Sequence, residues 1–189
     1  MAEMMIALGI FSLLILGMVA AQIYGMRVYT ISATKLVATS GARQVLSDIR
    51  DQIREANLVY LGNVSSDWTT YTDITNGNQQ GNAIEIYPTT NSTPYLICYL
   101  DTTTSTNNLM LYSSVGTTQL LTSYITNTVV FDAEDLYGNI LTNNQNNRVI
   151  HMTLQFSQWE YPIAHIGGTN YNSYDYYQLR TRATRRAID

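Results

Sequence analysis

Apolar residues fall into three textures along the chain. Between Met4 and Met26 they are nearly continuous: MMIALGIFSLLILGMVAAQIYGM, with Gln22 the one strongly polar side chain. About 20 apolar residues at ~1.5 Å each span the ~30 Å hydrocarbon core of a bilayer. The run therefore predicts a membrane-crossing helix. A helix buried in a soluble core rarely stays apolar for more than about 14 residues. A cleaved secretory signal has a basic segment ahead of a shorter apolar stretch, and no Lys or Arg precedes this one.

From Gly41 the texture becomes amphipathic. Val45, Leu46, Ile49, Ile53 and Ala56 recur at helical spacing, while Asp48, Arg50, Asp51, Arg54 and Glu55 occupy the other faces. Between the two runs, Tyr29 to Ser40 is rich in Thr and Ser and is a weaker helix by propensity, held by packing or acting as a joint. No proline occurs before Pro88, so nothing forces a break. The pattern predicts one helix from near residue 2 to about Asn57, ~80 Å long at ~1.5 Å per residue. Its first half faces lipid or a helix bundle, and its second half lays one stripe on a globular domain.

After Gly62 the chain turns to Thr, Asn, Ser and Tyr. Residues 65–82 read as a loop, with Gly77 and Gly81 among amides. Strand-like runs follow at 83–87, 95–100, 108–112, 129–133, 149–157 and 176–184, with 120–125 ambiguous. Asp135 to Asn139 reads as a hairpin turn between Phe131 and Ile140. The expected fold class is α+β: a long N-terminal helix packed on an antiparallel β-sheet of about four to six strands. The expected division is an apolar helix over 1–26, its amphipathic continuation over 27–57 and a β-rich globular domain over 58–189.

Charge sharpens this picture. Only 13% of the 189 residues are charged, with a formal net charge of -4, and no charged side chain occurs between Glu3 and Arg27. An acidic chain without a continuous basic stripe does not predict nucleic-acid binding. Lys35 is the only lysine. Arg180, Arg182, Arg185 and Arg186 cluster near the C-terminal end, where they would pair with acids of a neighbour or blunt an edge strand. A single cysteine, Cys98, excludes an internal disulfide and reads as a small core residue. His151 alternates within a strand and His165 reads as a loop residue. No ligand spacing joins them to Cys98 as a metal site. No phosphate loop, nucleophile elbow or paired-acid motif is present, so no catalytic residue is expected. Asp132, Glu134, Asp135 and Asn139 form the densest oxygen cluster and are the weak calcium candidates, although their spacing departs from the EF-hand pattern. Fifteen tyrosines against three phenylalanines suit wet interfaces; the tail from Gly167 to Tyr177 reads as an adhesive or inter-subunit patch, or simply as sheet and loop of an extracellular protein. Asn63–Ser65 and Asn91–Thr93 match the N-glycosylation pattern.

Glu3 stands at the mouth of the apolar run, where a carboxylate needs a positive partner. Small residues recur along that run; Ala7, Gly9, Gly17 and Gly25 allow close helix packing in lipid. The string from Ala2 to Phe11, AEMMIALGIF, resembles the start of a mature type IV pilin or type II secretion pseudopilin. Glu3 matches the family's signature glutamate and Ala7 follows it at the family's spacing. The resemblance covers roughly residues 2–30 and is architectural beyond them. The family's Gly and Phe at the cleavage site and its basic leader are absent. In family register Met1 takes the Leu position, so an upstream leader ending in Gly, with Phe-Thr before Met1, is expected.

The resemblance implies a non-enzymatic filament subunit without a cofactor, calcium being the exception some pseudopilins show. It would wait in the inner membrane on a single span, be cut by prepilin peptidase, meet an inner-membrane assembly platform, and join other pilin-like subunits through its helix. Glu3 would then pair with the terminal amine of a neighbour, and the assembled subunit would lie in the periplasm or on the cell surface. The closing pattern from Arg148 to Arg182 looks like a J-type minor pseudopilin. The alternatives are a major subunit of an extracellular pilus-like filament and a single-span membrane-anchored binding domain; a membrane-tethered enzyme would show convergent polar residues in a pocket.

Overall fold

The computed structural model describes residues 2–65, 70–89, 93–103, 107–166 and 169–186. Residues 1–40 and 41–189 form two compact units.

One helix, α1, runs Ala2–Glu55. It has no internal proline, and its first turn carries Glu3 and its last Arg54, each at the end the helix dipole favours. In the first unit the stretch Glu3–Tyr29 is long and apolar enough to cross a membrane or to serve as a signal sequence. None of it is buried.

Among the described residues the second unit holds the last turns of α1 and ten strands. These are β1 (Leu58–Val64), β2 (Tyr71–Asp73), β3 (Gln80–Gly81), β4 (Ala83–Tyr87), β5 (Leu96–Asp101), β6 (Asn107–Ser113), β7 (Thr117–Ile125), β8 (Phe131–Glu134), β9 (Val149–Ile166) and β10 (Thr169–Thr184). Every pairing is antiparallel. The order is β2-β1-β4-β5-β6-β7-β9-β8-β3, with β10 on the other side of β9. The sheet curls: β3, at one end of this order, leads through Asn82 into β4, which pairs with β1, so Gly81 lies against Gly62 of β1. The crossing leaves no room for side chains, since a Cβ on Gly81 would collide with the Gly62 backbone. A Cβ on Gly62 would collide with the Thr72 carbonyl and the Tyr71 ring of β2, so that position is glycine for its own reason.

The helical stripe expected from residue 41 onward is buried in this unit. Ala42, Leu46, Ile49 and Ile53 share one core with Val59 and Leu61 of β1, Ile84 and Ile86 of β4, Cys98 of β5, Leu109 of β6, and Ile150, Met152 and Leu154 of β9. Alternation does the sorting, because successive strand residues face opposite sides of the sheet. On the other side a smaller cluster joins Val64, Ala83, Ile97 and Tyr99 with Tyr71, Tyr95, Met110 and Tyr112.

The strand expectations need correcting, beginning with β1, which no expected run covered. The sheet has ten strands rather than four to six. The 65–82 loop contains β2 and β3, both too short to carry a two-residue pattern. The ambiguous 120–125 run is the C-terminal part of β7. His165 lies within β9, which with β10 forms a far longer hairpin than 149–157 and 176–184 implied.

Candidate functional site

The first candidate is the apolar helical surface itself. Between Met4 and Tyr29 large apolar side chains are exposed on every face, including Leu8, Phe11, Leu14, Met18 and Tyr24. Isolated exposed apolar residues are ordinary, but a continuous apolar surface of this length marks lipid or partner helices. Glu3 is exposed at its N-terminal end. Ala7 is exposed too, and a Cβ at Gly9, Gly17 or Gly25 would meet nothing within 4 Å. These glycines are not required by the fold of this chain. Any packing role they have lies between molecules.

The second candidate is the acid cluster. The turn after β8 is built by Asp135. Its Oδ1 accepts from the backbone N–H of Tyr137 and of Asn139, both at 2.8 Å, and its Oδ2 accepts from Asn139 Nδ2 at 2.9 Å. Gly138 supplies the positive φ of 87° that the turn needs. These bonds favour the charged carboxylate, and the Asn139 amide in particular holds Asp135 below the usual carboxylate range. Leu136 and Tyr137, at the tip, are about nine-tenths exposed.

Asp132 and Glu134 face a different set of partners. Register places Asp132 of β8 opposite His151 of β9, and His151 opposite Arg182 of β10. Gln80 of β3 extends the row and donates from Nε2 to Asp132 Oδ1 at 3.0 Å. His151 Nδ1 lies 3.0 Å from Glu134 Oε1 and 3.7 Å from Asp132 Oδ2. Arg182 Nη2 sits 2.8 Å from Glu134 Oε2. That oxygen is buried and makes no aligned hydrogen bond, so the contact is an ion pair. The histidine contacts are ion pairs only when the ring is protonated.

The four calcium candidates are thus neighbours without a common focus. Asp135 and Asn139 are consumed within their own turn, while Asp132 and Glu134 face His151 and Arg182. Calcium takes six to eight oxygens around one point, and this set does not fit it. Among the described residues no group of three or more His, Cys, Asp or Glu is placed to hold a metal ion. Cys98 is fully buried, and burial pushes its thiol up.

Two grooves of the second unit are formed by described residues. One, of about 460 Å³, is lined by Glu134, Leu136, Leu141, Arg148, Val149 and Arg185 among others. Arg185 is held below its ordinary value by burial and by the neighbouring Arg148. The other, of about 330 Å³, lies between α1 and β10. Sequence reasoning found neither the polar row across β3, β8, β9 and β10 nor these grooves. The outward alternation of His151 was visible, but its neighbours depend on a register that only the fold supplies. Arg182, expected to meet acids of a neighbouring subunit or to blunt an edge strand, lies on β10, which pairs with β9, and meets Glu134 of its own chain.

Comparison with family models, curated proteins and solved structures finds no match to this chain.

Proposed function

We propose that this protein is a structural subunit of a type IV pilus-like or type II secretion pseudopilus filament. It is not an enzyme, and it is a minor, J-like subunit in preference to a major one. The observation that carries the reading is the unburied apolar surface of Glu3–Tyr29, in a helix whose later turns supply a core stripe to a β-sheet unit. An apolar helix with a carboxylate at its mouth suits two successive environments: lipid before assembly, and a bundle of identical helices afterwards. In lipid the span satisfies its own backbone hydrogen bonds. In the bundle, small residues permit close approach and Glu3 meets a positive group on a neighbouring helix, which sets axial register. The pilin-like arrangement, the inner-membrane location before assembly, the assembly platform and the prepilin peptidase all belong to this proposal.

The test is electron microscopy of sheared surface material from cells producing wild-type protein or Glu3→Ala. We expect the wild-type chain in or at the tip of fibres and the variant retained in the membrane fraction. Normal assembly of Glu3→Ala overturns the mechanism. Copy number per fibre separates a minor from a major subunit.

A second reading rests on the same span: a permanent single-span anchor carrying a binding domain. It predicts a chain that stays in the detergent-extracted membrane fraction and never appears in sheared material.

A further inference from the structure

Two arginines without a counter-charge stand side by side at one end of the sheet. Val149 of β9 pairs with Thr184 of β10. Arg185 N–H then donates to the Arg148 carbonyl at 2.8 Å, which carries the ladder one step further. Arg148 and Arg185 are therefore cross-strand neighbours on one face. Because successive strand residues alternate, it is the face of Ile150 and Ala183, which belong to the main core. Leu141 reaches the same face: its N–H donates to the Ala133 carbonyl at 2.9 Å, and its side chain packs against that core. With Leu136, these residues line the groove of about 460 Å³, within the roughly 300–1,000 Å³ of small-ligand sites.

Like charges directly opposite each other across a ladder are destabilising, and burial of a charge adds to the cost. Both act on Arg185, which burial and then Arg148 hold below its ordinary value. Its Nε is buried and meets no acceptor among the described residues. The ion pairs of this unit go to Arg50, Arg54, Arg182 and His151, and among the described residues neither Arg148 nor Arg185 has one. The two acids beside the groove are committed elsewhere. Glu134 lies on the opposite face of the sheet with His151 and Arg182. Asp135 is held in its own turn by Tyr137 and Asn139. Its negative charge leaves the groove only a small positive surplus, which suits a monoanion. Guanidinium forks match a carboxylate bidentately. Leu136 and Leu141 supply apolar surface beside them. A bare carboxylate would leave that surface uncovered, and a neutral apolar group would leave the two cations unanswered.

We infer that this groove binds a carboxylate carried on an apolar group, with the carboxylate between Arg148 and Arg185 and the apolar group on Leu136 and Leu141. The inference stands on the groove and is independent of the filament reading.

Titration calorimetry of N-acetyl-leucine into the full chain in non-ionic detergent, at constant ionic strength, tests it. N-acetyl-leucinamide carries the apolar group without the charge, and acetate the charge without the apolar group. We expect saturable binding of N-acetyl-leucine about tenfold or more tighter than either control, and about tenfold or more weaker in each of Arg148→Gln and Arg185→Gln. Arg180→Gln, on the opposite face of β10, leaves binding unchanged. Arg148 is exposed, so folding should survive its substitution. A rise in the wild-type thermal midpoint with N-acetyl-leucine and not with its amide gives a readout that needs no variant. Isocaproate then separates sources: tighter binding of N-acetyl-leucine identifies a peptide-borne carboxylate, and tighter binding of isocaproate a free acid. Binding of both acids no tighter than of acetate or the amide, or unchanged in the Arg148→Gln/Arg185→Gln double variant, overturns the inference.

Discussion

Two regions of one helix handle apolar residues in opposite ways. In the stretch from Glu3 to Tyr29, Leu13 is 73% exposed and no face is covered. In the stretch from Gly41 to Glu55, Ile53 is 0% exposed and only one stripe is apolar. The same secondary structure serves both. What differs is where the apolar surface finds its cover. The later stripe is completed by the chain's own sheet, and the earlier surface is completed only by lipid or other molecules. A uniform apolar run thus reports what lies outside the chain, and an amphipathic one reports what lies inside it.

The sharpest way to break this comparison is to truncate one residue in each region. Ile53→Ala removes a core side chain touching the sheet and should destabilise the β-sheet unit by about 2–5 kcal/mol. Leu13→Ala should leave that unit's denaturation midpoint unchanged. Both are read by urea unfolding of the full chain in detergent, followed by tyrosine fluorescence. Equal losses for the two variants would mean that the apolar run supports the folded unit, and the contrast would fail.

The sequence legibility of the two regions follows the same physics. The helix was visible from its period, its lack of proline and its sorted faces, and the strands at 83–87 and 95–100 from their apolar runs. β1 was missed because Leu58–Val64 carries apolar residues on both faces and follows the helix closely, so neither period stands out. β2 and β3 are two or three residues long and are held by tertiary contacts, including the Gly62–Gly81 crossing, that no local pattern encodes. Gln79 shows the same limit: among amides it read as loop, yet it is fully buried and donates to the carbonyls of Ile74 and Gly77. The polar row at His151 joins segments far apart in sequence, so its residues were visible and their proximity was not.

Charged groups extend the comparison at smaller magnitude. Glu134 is buried and partnered within the chain, whereas Glu3 is exposed and has its proposed partner on another molecule. Arg182→Ala leaves Glu134 Oε2 buried without its cation. The cost of an abandoned buried acceptor is about 1–3 kcal/mol, and the lower end applies because Arg182 is itself 59% exposed and water can take part of its place. We expect a loss of about 1 kcal/mol in the same unfolding measurement. No loss would show that Glu134 is satisfied by His151 alone.

Glu85 gives the smallest effect and the finest test, because the sheet unit places it where its charge is disfavoured. It is 8% exposed on β4, on the sheet face that carries Tyr87 and Tyr99. Desolvation raises its pKa above the ordinary 4.5; the Tyr87 hydroxyl hydrogen bond opposes the shift and the nearby Asp73 charge reinforces it. With the folded value above the unfolded one, the folded state binds the proton more tightly. Stability from this group is complete below about pH 4.5 and is lost as pH rises through the folded value. Glu85→Gln cannot ionise and still accepts from Tyr87. The variant should therefore match wild type at acid pH and exceed it at neutral pH. Thermal midpoints of the two proteins across pH 4 to 8, taken as a difference, isolate Glu85 from the other carboxylates. A variant less stable than wild type at pH 7 would mean that the ionised carboxylate is stabilised by its surroundings, and that burial is not the dominant influence on it.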